Sequence, residues 1–389
     1  MTECTSPLAF CVAGARPTTA HRRPARRCER PLLPHPSGRA LISPLRRARL
    51  SMTATDPSVA SSEGSRGLPS VLVDILQRKE REVQQLKADM ERAGAEHPLR
   101  KRMAQAAAGN ICSSTAFSGA IRKPRGTVCV IAEIKRQSPS AGVLAEVPDV
   151  RFYSQMYYKA GAAAISVLTD EAFAGTLDDL RTVVEHQKNY RGNFPGPCPV
   201  LRKDFIIDEV QIAEAAEAGA AAVLLIVAAL GREKLQQLLQ ATERHGLEAL
   251  VEVHDEAELE VAKAVGAKII GVNARNLHTF EVNLDVCMSL IERFPEGVIA
   301  VAESGIKETT DAWRLRDAGF SALLIGELLM RASQSVKHGA NAYESSYNQA
   351  FGIIRAFQSK GSVKFGPTTL ARGYGMNEGA KESLGYLEM

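Results

Sequence analysis

The chain has 389 residues, 45% hydrophobic, 24% charged and 5% aromatic, which suits one large globular domain or two small ones and excludes fibrous or wholly disordered classes. Its net charge of +4 is unevenly spread: of 48 basic and 44 acidic side chains, residues 1–50 hold ten Arg, no Lys and two Glu, leaving 38 basic against 42 acidic elsewhere. The remaining chain therefore has no basic surplus with which to bind nucleic acid nonspecifically.

Residues 1–65 mix Arg, Pro, Ser and Thr without apolar periodicity, as in His21-Arg22-Arg23-Pro24, and read as a disordered organelle transit peptide. Seven prolines in the first fifty residues interrupt the amphipathic helix that mitochondrial import favours, so the plastid stroma is the expected destination. A retained basic arm that touches RNA or anionic lipid is the competing reading. From Leu68 onward, Leu72, Ile75, Val83 and Leu86 recur at helical spacing with Lys79 and Glu82 among them, which predicts one or two helices before the main domain.

Eight short β-branched runs follow, at 128–134, 163–168, 199–202, 222–227, 249–253, 269–272, 298–302 and 322–325. They alternate with amphipathic stretches such as 210–218, 234–245, 256–265 and 309–318, several of which close on glycine (Gly219, Gly246, Gly266, Gly319) as a left-handed helix cap does. Strand and helix alternating eight times predict a (β/α)8 TIM barrel over 66–338, with an open doubly wound sheet as the alternative. Residues 339–389 read as an atypical extension: a last barrel helix over 347–357, then a flexible tail from Gly361 holding six glycines. The longest apolar stretch, 218–230, is too short to cross about 30 Å of hydrocarbon, so no membrane partner is expected. The seven cysteines lack metal-ligand spacing, which predicts a reducing compartment and no metal.

Barrel strands are covered on both faces and should be apolar throughout, so charges at their carboxyl ends carry information. Glu133 and Lys135 flank Ile134 on one side of the first strand; Lys203 ends the third; Glu252 interrupts the fifth; Asn273 ends the sixth, with Arg275 two residues on; Glu303 ends the seventh beside Ser304. Inward-pointing charges must compensate one another at the mouth, where barrel enzymes keep their active sites. Crowding of carboxylates there would split their pKa values into an acid and a base. Gly305 after strand seven and Gly326 after strand eight stand where barrels build a phosphate site from loop amides. No nucleotide-binding or zinc-protease motif is present, and no cofactor is demanded.

Six segments carry a closer likeness: Ile131-Ala132-Glu133-Ile134-Lys135-Arg136-Gln137-Ser138-Pro139-Ser140, Ser166-Val167-Leu168-Thr169-Asp170, Leu201-Arg202-Lys203-Asp204-Phe205-Ile206-Ile207-Asp208, Val251-Glu252-Val253-His254, Gly271-Val272-Asn273-Ala274-Arg275-Asn276-Leu277 and Ala302-Glu303-Ser304-Gly305-Ile306. In these the chain resembles indole-3-glycerol phosphate synthase, and the likeness runs in order from about Leu68 to Met330. The resemblance implies a carboxy-lyase of tryptophan biosynthesis that closes the indole ring of a small phosphorylated substrate, 1-(2-carboxyphenylamino)-1-deoxyribulose 5-phosphate, with loss of carbon dioxide and water. It implies Glu133, Lys135, Lys203, Glu252, Asn273 and Glu303 as catalytic residues, and Ser138, Arg275, Ser304, Gly305, Gly326 and Glu327 as substrate or phosphate contacts.

On that chemistry Lys203 or Lys135 protonates the carbonyl oxygen, a carboxylate such as Glu252 stabilises positive charge near the amine, and Lys135, Glu133 and Glu252 are the candidates for dehydration. Three positions depart from the family pattern: the loop around Phe173 is one residue short, Ala141 replaces a common Lys, and Leu328 a common small hydroxyl residue. Association with other enzymes of the pathway is a further expectation. Two other readings stand beside this one: a phosphoribosylanthranilate isomerase-like barrel, and a non-catalytic barrel used for protein interaction.

Overall fold

The computed structural model describes residues 69–138, 142–334 and 342–359, with backbone alone for 342–346. The expected transit segment and glycine-rich tail, together with Ala141, lie outside the described residues.

Eight parallel strands form a closed barrel: β1 (Cys129–Ile134), β2 (Ala164–Leu168), β3 (Val200–Lys203), β4 (Ala222–Ile226), β5 (Glu248–Val253), β6 (Ile269–Asn273), β7 (Ile299–Glu303) and β8 (Ala322–Ile325). Each strand pairs with its neighbours in sequence, and the ring closes where Cys129 and Ile131 of β1 pair with Ala322 and Leu324 of β8. Closure excludes the open doubly wound sheet and makes the fold a (β/α)8 barrel. A two-stranded hairpin, Gln137–Ser138 with Gly142–Val143, follows β1; two residues a side are too few for periodicity to signal.

The period of two divides every strand between two cores. Cys129, Ile131, Ala164, Leu201, Leu224, Leu250, Ile269, Val301 and Leu324 fill the barrel interior. Their neighbours Val130, Ala132, Val200, Val223, Val251, Ile270, Ala302 and Leu323 pack outward under the helices. A short helix, α3 (Ala116–Ile121), closes the floor with the fully buried Phe117 and Ile121. Its first turn is capped by Glu248 at the start of β5, whose Oε2 accepts from the N–H groups of Phe117 and Ser118 at 2.8 and 3.0 Å.

Among the described residues two α-helices precede α3: α1 (Ser70–Ala93) and α2 (Pro98–Ala107). Both pack on α6 (Glu209–Glu217), where Val83, Met90 and Leu99 meet Val210 and Ala213. The outer ring is completed by α4 (Val150–Ala160), α5 (Leu177–Gln187), α7 (Val227–Arg244), α8 (Glu256–Ala264), α9 (Asp285–Ile291), α10 (Thr309–Ala318), α11 (Glu327–Ser333) and α12 (Ala342–Gln358). Gly219, Gly246, Gly266 and Gly319 all take positive φ after their helices. Helix α7 starts earlier than the sequence pattern suggests and breaks at Gly231, whose φ of 65° and ψ of 176° no helix accommodates. Helix α12 buries Ala350, Ile353, Ile354 and Phe357 in the outer core.

Candidate active site

The carboxyl ends of the strands surround a cavity of about 990 Å³, counting the solvent at its open mouth. Glu133, Lys135, Ser138, Lys203, Glu252, Asn273, Arg275, Glu303 and Ser304 all line it. Alternation along β1, β3, β5, β6 and β7 turns Glu133, Lys203, Glu252, Asn273 and Glu303 inward. The three glutamates are buried, whereas the side chains of Lys203 and Lys135 keep 13% and 18% of their surface accessible, so the cations face the void.

Lys203 Nζ donates to Glu252 Oε2 at 2.8 Å and lies 3.1 Å from Glu303 Oε2. Burial opposes its charge, but Glu252, Glu303 and Glu133 together raise its pKa above that of an ordinary lysine. The two carboxylates around it diverge. Burial, with the Glu252 charge adding to it, pushes Glu303 up to about 8 against the pull of Lys203. Burial also opposes ionisation of Glu252, yet Lys203 and then His254 hold it well below the carboxylate range. Asn273 Nδ2 donates to Glu252 Oε1 at 3.1 Å, and His254 Nε2 stands 3.4 Å from the same oxygen. Burial lowers the His254 pKa, but Glu252 and Glu258 outweigh it and bring it to about 10.

Across the cavity Lys135 Nζ pairs with Glu133 Oε1 at 3.1 Å, and Ser166 Oγ donates to Glu133 Oε2 at 3.3 Å. Two glycines make room for this ring of carboxylates. A Cβ on Gly271 would strike Glu303, and one on Gly326 would strike Glu133. Gly326 does not line the cavity, and Glu133 fills the space that a Cβ there would take. Glu327 is also outside the lining: its carboxylate pairs with Arg331 at 3.0 Å and stands 3.9 Å from Arg275. Gly305 does not line the cavity either; it takes φ 78° with no space for a Cβ beside Val282. Ser304 reaches the cavity from an unusual φ of 66°.

Sequence reasoning missed most of one wall, singling out Phe173 alone through its shortened loop. Val71, Leu72 and Ile75 of α1 roof the cavity, and Phe173 and Phe205 flank it with ring centroids 6.3 Å apart and 29° between planes. Behind that wall lies a second buried cluster. Lys79 Nζ sits 2.8 Å from Asp170 Oδ2 and 2.9 Å from Asp204 Oδ1, Arg78 donates to both Asp170 oxygens at 2.7 and 2.8 Å, and Arg202 pairs with Asp204 and Glu214. Burial opposes the Asp204 charge, but Arg202, Lys79 and Thr169 bring it down to about 2. The signal was present: Lys79 falls on the stripe of Leu72, Ile75 and Val83, where an amphipathic helix should be apolar.

Among the described residues no group of three or more His, Cys, Asp or Glu is arranged to hold a metal ion, and no helix is long and apolar enough to cross a membrane.

Residues 72–340 match the family model described as indole-3-glycerol phosphate synthase. Similar curated proteins of that name include one from Opitutus terrae, 43% identical over 271 residues, covering 68% of this chain and 95% of the relative. Another, from Chloroherpeton thalassium, is 43% identical over 270 residues, covering 69% and 97%. A third, from an Exiguobacterium species, is 47% identical over 209 residues, covering 54% and 79%.

Proposed function

This chain belongs to the indole-3-glycerol phosphate synthase family, and from that premise we propose which side chain performs each step. It is a carboxy-lyase of tryptophan biosynthesis acting on a small phosphorylated substrate, which displaces the isomerase-like and non-catalytic readings.

In our reading Lys203 is the acid of ring closure. As the carboxylate-bearing ring carbon attacks the ribulose carbonyl, the carbon–carbon bond forms and the carbonyl oxygen takes a proton from Lys203. Glu303, which holds its proton to about pH 8, reloads Lys203 across 3.1 Å. Glu252, kept ionised, faces the positive charge that develops at the amine. Carbon dioxide then leaves, and its bonding electrons restore the aromatic ring. For dehydration Lys135 protonates the departing hydroxyl, while Glu133 collects the proton that the five-membered ring releases as its double bond forms. Asn273 steadies Glu252, and Arg275, Ser304 and Ser138 take the phosphate end, with loop amides around Gly305, Gly326 and Glu327 as the remaining candidates.

The observation that carries this assignment is the meeting of two separate Lys–carboxylate groups in one cavity, one for each proton-demanding step. Single-turnover assays test it. Lys203→Ala should release no carbon dioxide, whereas Lys135→Ala should release it and stall before indole fluorescence appears. Carbon dioxide release at the normal rate from Lys203→Ala would refute the assignment.

The arginine-rich, acid-poor residues 1–65 support a second proposal, that the protein is an organelle-targeted eukaryotic form cleaved on entry to the plastid stroma. It leaves a barrel unit over 66–338 and an extension over 339–389, the latter a surface for other enzymes of the pathway. Residues 1–65 fused to a fluorescent reporter should deliver it to plastids; a cytosolic or mitochondrial reporter would reject that destination. Co-sedimentation with and without residues 361–389 tests the association.

A further inference from the structure

Lys79 does not itself line the cavity, although its partner Asp204 does, and it is 2% exposed in a helix whose other buried positions are apolar. A lysine is withdrawn from water this far only when counter-charges hold it, and here there are three: Asp170, Asp204 and Glu82 at 2.8, 2.9 and 2.8 Å. Asp170 stands just beyond β2 and Asp204 just beyond β3, and each also fixes backbone. Asp170 accepts the N–H of Ala172 at 2.8 Å, the neighbour of Phe173; Asp204 accepts the N–H of Phe205 at 2.8 Å. The two carboxylates on Lys79 are therefore the anchors of the two aromatic rings on the cavity wall. One turn back along the same helix, Ile75, and behind it Leu72 and Val71, form the roof.

We propose that Lys79 is a positioning residue for the aromatic half of the substrate: through Asp170 and Asp204 it locks the α1 roof, Phe173 and Phe205 in register around the anthranilate ring. It acts on the grip of the substrate rather than on proton transfer, which the Lys203 and Lys135 groups supply. This rests on the mouth being the catalytic site, as proposed above.

The test is steady-state formation of indole-3-glycerol phosphate by Lys79→Met and Lys79→Arg, with circular dichroism to verify folding. Lys79→Met should raise KM about tenfold or more with kcat reduced less than about threefold, because ring contacts are made in ground and transition states alike. Lys79→Arg, which spans the same carboxylates, should restore KM to within about threefold of wild type. An unchanged KM in folded Lys79→Met, or a loss confined to kcat, would overturn the proposal. If Lys79→Met does not fold, Arg78→Met decides: Arg78 holds Asp170, and outside it only Glu82 of its own helix, from a side chain still 28% accessible, so KM should rise about threefold, and no change would overturn the proposal. Lys203→Ala in the same assay separates the two ideas. An active Lys203→Ala refutes the reading of the mouth, whereas an inactive Lys203→Ala beside a wild-type Lys79→Met refutes only the role of Lys79.

Discussion

Arg202 and Lys203 are adjacent in sequence and both carry buried charge, but strand alternation sends them to opposite faces of β3. In the cluster that Arg202 joins, the charges are saturated, even though Asp204 also borders the cavity. Every oxygen of Asp170 and Asp204 has a donor, from Arg78, Lys79, Thr169, Arg202 or a backbone N–H. On the inner face they are not: neither oxygen of Glu303 accepts a hydrogen bond among the described residues, nor does His254 Nε2 make one, and the lysines keep an accessible edge. Burial alone does not distinguish structural charge from chemical charge. What distinguishes them is whether bonding capacity is used up within the protein or left facing a cavity.

Substitutions on each face should break that contrast in different ways. The largest effect belongs to the inner face, where Lys203→Ala should lower turnover about a thousandfold or more while the thermal transition stays cooperative. Arg202→Met, on the outer face, should do the opposite. It removes one of the two cations on Asp204 and the cation on Glu214, so urea denaturation should show a loss of about 1–3 kcal/mol, with turnover per folded molecule falling far less than in Lys203→Ala.

The pH dependence of stability should also run in opposite directions on the two faces. Asp204, held at about 2 against an ordinary value of about 3.9, contributes fully above pH 4 and loses its contribution as the pH falls toward 2. Glu303, held at about 8 against an ordinary value of about 4.3, contributes fully below pH 4 and loses its contribution as the pH rises through 8. Urea midpoints should accordingly lose their acid slope in Asp204→Asn and their decline from about pH 4 to 8 in Glu303→Gln. The smallest effect is Gly326→Ala, where the added methyl displaces Glu133; turnover should fall about tenfold with a stability cost of about 1–3 kcal/mol. An unperturbed Gly326→Ala would mean that Glu133 can shift without consequence.

Much of this was legible in the sequence because barrel strands tolerate few charges. Glu252 stands out between Val251 and Val253, and the β-branched runs located each strand to within one or two residues at either end. Lys79 was harder to see, since a lysine on an amphipathic helix is ordinarily solvated and its partners on two later loops become neighbours only after the barrel closes. Gly326 shows a different limit. A glycine at a loop entrance has the same spelling whether its amide meets an anion or its missing side chain clears space for a carboxylate, and the closeness of Glu133 becomes visible only once the barrel is closed.

The plug formed by Phe117 and Ile121 has its own consequence. With the lower end of the barrel sealed, the chamber is blind, and reactant and product share one doorway. Product inhibition should therefore be competitive, and no intermediate can be relayed along the barrel axis to an enzyme docked beneath.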